Sequence, residues 1–200
     1  MYDINSLKKE AKIFLRNSQW IKAQETLMKM NRILPNNAII KHKIADVCVK
    51  LNNHWGAQYY YTTAMRLDRN NAEIWFKLAK VLGSLRQHQQ AKMLFQNCLR
   101  SDGRTKGSAH YHYGKLLIKL DEPYTALHHF WRATQLKPDV VAYHVAHATV
   151  SVQLGVPNIA RNSIKITLAC HNLVDKEALR IIKDYVNHGI KLKGQNRKVK

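Results

Sequence analysis

Eleven histidines are the residues in this sequence whose type most readily suggests chemistry. Their spacing argues against it. His110 and His112 are separated by one residue and would point to different sides of a helix, and the adjacent His128 and His129 face the same difficulty. His144 and His147 are three apart and can share a face, yet no cysteine or carboxylate stands close by to complete a metal site. No metal is expected, and exposed histidines should simply add positive charge as the pH falls toward about 6.5. A nucleophile elbow, a phosphate-cradling glycine-rich loop, HExxH and CxxC are all absent from the sequence. Asp121-Glu122 lies in a turn before Pro123, which is no setting for paired acid–base work. The expectation is a protein that is not an enzyme and carries no cofactor.

Lysine and arginine are the other chemical resource. Thirty-three of them stand against thirteen aspartates and glutamates, a formal charge of +20 at pH 7. Solvated helix faces normally mix both signs, so this excess implies attraction to polyanions: acidic protein surfaces, nucleic acid or anionic membrane. The bland alternative is a lineage whose proteins all run basic. Cys48, Cys98 and Cys170 are odd in number and not closely spaced, which predicts no disulfide framework and a reducing, cytoplasmic setting. No apolar run approaches the roughly 18–20 residues that span a bilayer, and the opening MYDINSLKKEAK lacks the apolar core of a secretory leader.

The elements that must position these charges announce themselves by period. Ala23, Ala57, Ala91, Ala126 and Ala160 are spaced 34, 34, 35 and 34 residues apart, and Ala11, Ala45, Ala79, Gly114 and Ala148 keep the same beat. Two small positions per unit of this length predict an all-α helix-turn-helix repeat solenoid. Four residues after the first series come Leu27, Tyr61, Phe95, Phe130 and Ile164, and three further on come Met30, Ala64, Cys98, Ala133 and Thr167. Those offsets put all three series on one helical face, where small residues admit a neighbouring helix and the large one fills the gap.

Punctuation agrees. Pro123 and Pro157 sit where second helices should begin, Pro35 and Pro138 follow second helices, and Asn36-Asn37 and Asn70-Asn71 occupy the turns between units. The predicted repeats cover about 4–37, 38–71, 72–106, 107–140 and 141–173, forming a single solenoid over 1–189. Asp175 can cap a helix over about 175–188, whose apolar stripe of Ala178, Leu179, Ile182, Tyr185 and Val186 would cover the last unit. Residues 190–200 read as a flexible basic tail. The fifth unit's first helix, VAYHVAHATVSVQL, contains no formally charged residue, which fits either burial under that cap or an apolar end to a groove.

With Trp75, Leu78, Ala79, Ala91, Phe95 and Leu99 in AEIWFKLAKVLGSLRQHQQAKMLFQNCLRSD, the third unit resembles the tetratricopeptide repeat. Gly114, Ala126, Phe130, Ala133 and Pro138 supply the matching positions of the fourth. Glu10 and His147 depart from the pattern, each standing where a large apolar residue is usual. The resemblance covers about residues 4–172 and implies a right-handed superhelix whose first helices line a concave groove. Members of that family typically hold a peptide or partner helix there, as scaffolds or co-chaperones.

Mapped through the resemblance, the groove candidates are Lys8, Lys12, His42, Lys43, Phe76, Lys77, Lys80, Tyr111, His112 and Lys115, with Asp46 and Glu73 the nearby acids. The clamp by which some members grip a terminal carboxylate is matched only in part. Lys8 fits, but Lys12 and Lys43 replace asparagines, Glu73 replaces a lysine and Lys77 an arginine. A generic basic groove is therefore expected, holding an acidic or amphipathic segment of a protein partner. Two other possibilities remain open from sequence: sequence-independent nucleic-acid association through the basic surface, and docking to a separate enzyme. Oligomeric state is not legible.

Overall fold

Helix capping shows how the predicted repeats become real ones. In the computed structural model, which describes residues 3–101 and 105–188, Asp3 caps α1 (Ile4–Arg16) by accepting from the backbone N–H groups of Asn5 and Ser6, both at 3.1 Å. Asn37 does the same for α3 (Ala38–Lys50) and Asn71 for α5 (Ala72–Ser84). The second asparagine of each pair that the sequence marked as a turn is thus the cap of the next helix. Between these first helices lie α2 (Trp20–Ile33), α4 (His54–Leu67) and α6 (His88–Arg100). Each pairs with the helix before it.

The chain divides into two compact units, Met1–Thr105 and Lys106–Lys200. The second holds α7 (Lys106–Lys119), α8 (Pro123–Leu136), α9 (Val141–Gln153), α10 (Arg161–Ala169) and α11 (Lys176–His188). Pro123 stands at the first position of α8 as its missing N–H permits. Pro157 differs. It opens a 3-10 turn, Pro157–Ala160, that leads into a short α10, so the fifth unit's second helix is tightened in its first turn.

Every alanine of the 34-residue series is at most 1% exposed, and Leu27, Tyr61, Phe95, Phe130 and Ile164 lie at 8% or less. The two sequence series are the core. Gly114 takes the alanine position in α7 because Phe130 is there: a Cβ would stand 2.7 Å from the ring. Within the second unit, Asp175 caps α11 through the N–H groups of Glu177 and Ala178, and Ile182 is fully buried against Ala148, Val152 and Ile164. The uncharged α9 is accordingly an internal helix, packed by α8, α10 and α11. The proposed tail at 190–200 lies outside the described residues.

The turn inside each helix pair uses one left-handed residue: Ser18, Asn52, Arg86, Asp121 and Gly155, with φ of 55°, 57°, 60°, 59° and 72°. Gly155 and Gly83 separate backbone cost from packing cost, because an added Cβ meets nothing within 4 Å at either. Gly155→Ala should cost about 1 kcal/mol through its φ alone. Gly83→Ala, inside α5, should instead gain about 0.5–1 kcal/mol. Urea melts of both variants check the signs; a loss at Gly83 would show that α5 lacks the open face described.

Candidate functional site

Lys8 and Lys12 are one turn apart on α1, and continuing the same stripe brings Arg16 into line. With Lys43 of α3 and the aliphatic Leu15, they line a cleft of about 550 Å³ within the first unit. All four cationic residues are exposed, and no carboxylate contributes to the lining. Three of the four were candidates from sequence. Arg16 was not, although its position four residues after Lys12 carries the same regularity.

Leu15 also lines a second cavity of about 390 Å³, so the two adjoin. Trp20, Val47, Val49 and Val81 give this one apolar walls, while Asp46, Lys50, Lys77 and Lys80 supply its polar groups. Lys50 lies over the Trp20 ring at 5.7 Å and Lys80 over Phe76 at 5.5 Å. Such cation–π contacts hold the amine stems against apolar surface.

Lys77 is in a different electrostatic state from Lys8, Lys12 and Lys43. Its ammonium donates to both oxygens of Asp46, at 2.9 and 2.8 Å, and pairs with Glu73 at 3.1 Å. Asp46 also accepts the Tyr61 hydroxyl proton. Burial, followed by the Asp46 carboxylate, pushes that hydroxyl's pKa up and keeps it a donor. His42 stands 3.7 Å from Asp46 and 4.0 Å from Glu73. Burial first and then the Lys77 charge lower its pKa, against the opposing pull of the two acids. His42 and Lys77 therefore belong to a partly exposed network with Asp46 and Glu73 rather than to an open cationic surface.

The remaining candidates lie in the second unit. Tyr111 stacks on Tyr143 at 4.9 Å and packs by Phe130 at 5.9 Å, with Lys115 over its ring at 5.6 Å and His112 against its edge at 5.2 Å. Tyr111 is thus an aromatic shelf, half-buried.

The histidines form partnerships that the sequence did not reveal. The expected gain of charge applied to exposed histidines, and four are not among them: His144 and His147 are buried, and His110 and His129 are partly so. His110 and His129 share a hydrogen bond at 2.8 Å between their Nδ1 atoms. Ser163 bridges His144 and His147 at 3.1 and 2.9 Å. Desolvation leads in lowering the pKa of His110, His129 and His147 to about 4, reinforced by neighbouring cationic or imidazole groups. These partnerships join residues 16–19 apart on different helices, which spacing within one helix does not reveal. Among the described residues, no cluster of three or more His, Cys, Asp or Glu is arranged to hold a metal ion.

Comparison with known proteins bears on the whole arrangement. The tetratricopeptide repeat profile matches residues 60–93. PilF of Pseudomonas aeruginosa is similar in structure with a TM-score of 0.78 at 16% identity, covering 93% of this chain and 86% of that one. MamA from Desulfovibrio magneticus RS-1 gives 0.75 at 14% identity, covering 86% and 97%. YrrB, a TPR protein with an unusual peptide-binding site, gives 0.69 at 21% identity, covering 85% and 87%. No curated protein sequence matches the chain significantly. At these identities the structural likeness establishes the fold, an all-α repeat solenoid.

Proposed function

We propose that this repeat solenoid, whose residues 60–93 match the tetratricopeptide repeat, is a protein-interaction scaffold that holds an acidic segment of a partner protein in the basic cleft of its first unit, without catalysing a reaction. One observation carries the proposal: Lys8, Lys12, Arg16 and Lys43 converge on a cleft of about 550 Å³ with no carboxylate in its lining. Cations with no carboxylate beside them in the cleft can meet an incoming one. The adjoining cavity offers Leu15, Trp20 and Val81 to an apolar side chain of the same segment, which suits an amphipathic ligand. Phe76 and Lys80 extend that surface on α5. In the second unit, Tyr111, His112 and Lys115 present an aromatic and cationic surface of their own.

A cytoplasmic setting accords with free thiols at Cys48, Cys98 and Cys170. No described helix is long and apolar enough to cross a membrane.

The test is fluorescence anisotropy with a labelled glutamate-rich peptide, comparing wild type with the Lys8→Glu/Lys12→Glu/Lys43→Glu variant after nuclease treatment. The variant changes only exposed positions, so its melting temperature should hold while its affinity falls at least about tenfold. Unchanged affinity would remove the cleft from the proposal. Preferential binding of a nucleic acid of equal charge, falling steeply with salt, would transfer the basic surface to that ligand class.

A further inference from the structure

A cavity of about 330 Å³ opens beside α8 in the second unit, and neither the basic cleft nor the Tyr111 shelf includes it. Tyr124, Leu127, His128, Trp131 and Ile159 form its walls, with His147 of α9 completing the lining. Tyr124 is 69%, Ile159 61% and Trp131 40% exposed, whereas His147 is only 3% exposed. The site is an apolar, aromatic recess with one buried polar ring. Its volume falls in the range of about 300–1,000 Å³ usual for ligand pockets.

The hydrogen bonds around His147 determine which way that ring is protonated. A carbonyl oxygen can only accept, so His144 Nε2, 2.9 Å from the Pro138 carbonyl, carries a proton. With its proton placed on Nε2, the ring takes the Ser163 hydroxyl, 3.1 Å away, as the donor to Nδ1. Having spent its one proton, Ser163 Oγ accepts from His147 Nδ1–H at 2.9 Å. His147 Nε2 is left with a lone pair. Burial, then the neighbouring His144, lowers the pKa of His147 to about 4, so Nε2 remains an acceptor at neutral pH.

We propose that this cavity seats an aromatic side chain bearing a hydrogen-bond donor, a tryptophan or tyrosine of a partner protein, whose N–H or O–H donates to His147 Nε2. The largely aromatic and aliphatic walls, to which the exposed His128 and Tyr124 add polar edges, select a flat apolar ring, and the buried acceptor on His147 selects one that can donate. The exposed rim of Tyr124, Trp131 and Ile159 continues the apolar surface beyond the recess. That surface would remain wet around a free small molecule but is covered when the ring arrives on a polypeptide.

N-acetyl-tryptophanamide is the first probe, titrated into the full chain while the His147 ring carbon shift and the Trp131 indole resonance are followed by NMR. Saturable shifts are expected, with N-acetyl-1-methyltryptophanamide, which lacks the donor, at least about fivefold weaker. Tyr124→Ala alters an exposed rim residue and should weaken binding without lowering the melting temperature. Ser163→Ala releases the tautomer and should narrow the difference between the two probes. Equal binding of the methylated and unmethylated probes would overturn the hydrogen bond to His147, and an unaffected Tyr124→Ala variant would overturn the location. Free indole binding as tightly as the amide would assign the site to small aromatics rather than a partner's side chain, and no shift at about 10 mM of any probe would overturn the site itself. None of these outcomes depends on whether the basic cleft binds an acidic peptide.

Discussion

Lowering the pH from 7 to 4 is expected to strip several kcal/mol of stability from the second unit, most of it before ordinary carboxylates protonate. His110, His129 and His147 have folded pKa values lowered to about 4, against about 6.5 in an unfolded chain. Between those values the unfolded chain binds protons that the folded one refuses. Stability from these groups is therefore complete above about pH 6.5 and is lost as the pH falls toward 4. For His147, almost fully buried, the loss is about 2–3 kcal/mol. The His110–His129 pair acts in the same direction, since one proton shared across 2.8 Å satisfies two neutral rings but not two charged ones. Amide hydrogen exchange in α7 to α11 at pH 7 and pH 5 reads the effect directly. His147→Gln should flatten the dependence of the protection factors, taken relative to the intrinsic exchange rate at each pH, and protection factors that are unchanged between the two pH values would contradict the assignment of neutral buried histidines.

Asp46→Ala should move stability and affinity in opposite directions. The carboxylate accepts from Tyr61 and from both faces of the Lys77 approach, and Tyr61 itself is 2% exposed. Removing it leaves a buried hydroxyl without an acceptor, a cost of about 1–3 kcal/mol. The Asp46 side chain is 39% exposed, which places the ion-pair share of that cost at the lower end. At the same time Lys77 loses one of its two acids, and the first unit's groove gains positive charge. An acidic peptide should then bind about three- to tenfold more tightly, an expectation from charge complementarity. Urea melts and the anisotropy titration measure the two effects separately. A peptide that binds less tightly to the variant would mean that the Asp46–Lys77 pair orients Lys77 for recognition instead of occupying it.

The fold was legible because its core is written in single residue types at a fixed interval. Ala57, Tyr61 and Ala64 can be placed without knowing any contact, since an offset of four and three within a helix fixes their face. The cleft was partly legible for the same reason: Lys8 and Lys12 follow helix spacing, and Arg16 extends it. What escaped were relations across repeats. Lys77 meets Asp46 from 31 residues away because α3 and α5 of the first unit bring the two side chains together. Whether a lysine there reaches a carboxylate or solvent depends on side-chain conformation, which periodicity does not encode. Ser163 was similarly hidden. Its register comes from the short α10 that follows a 3-10 turn, where the proline pattern suggested an ordinary helix start.

The five left-handed turn residues, placed at intervals of 34 or 35, bear on how the chain is made. Each reverses the backbone within a few residues, so a helix and its partner can pack as soon as both have left the ribosome. Among the described residues only the fifth pair waits for a later element, α11, whose Ile182 packs against Ala148, Val152 and Ile164. Synthesis at about 5–20 residues per second delivers such a pair every few seconds, far slower than helices form and dock. The nascent chain can therefore gain structure one pair at a time during translation, and the apolar surface exposed at any moment is that of the newest pair.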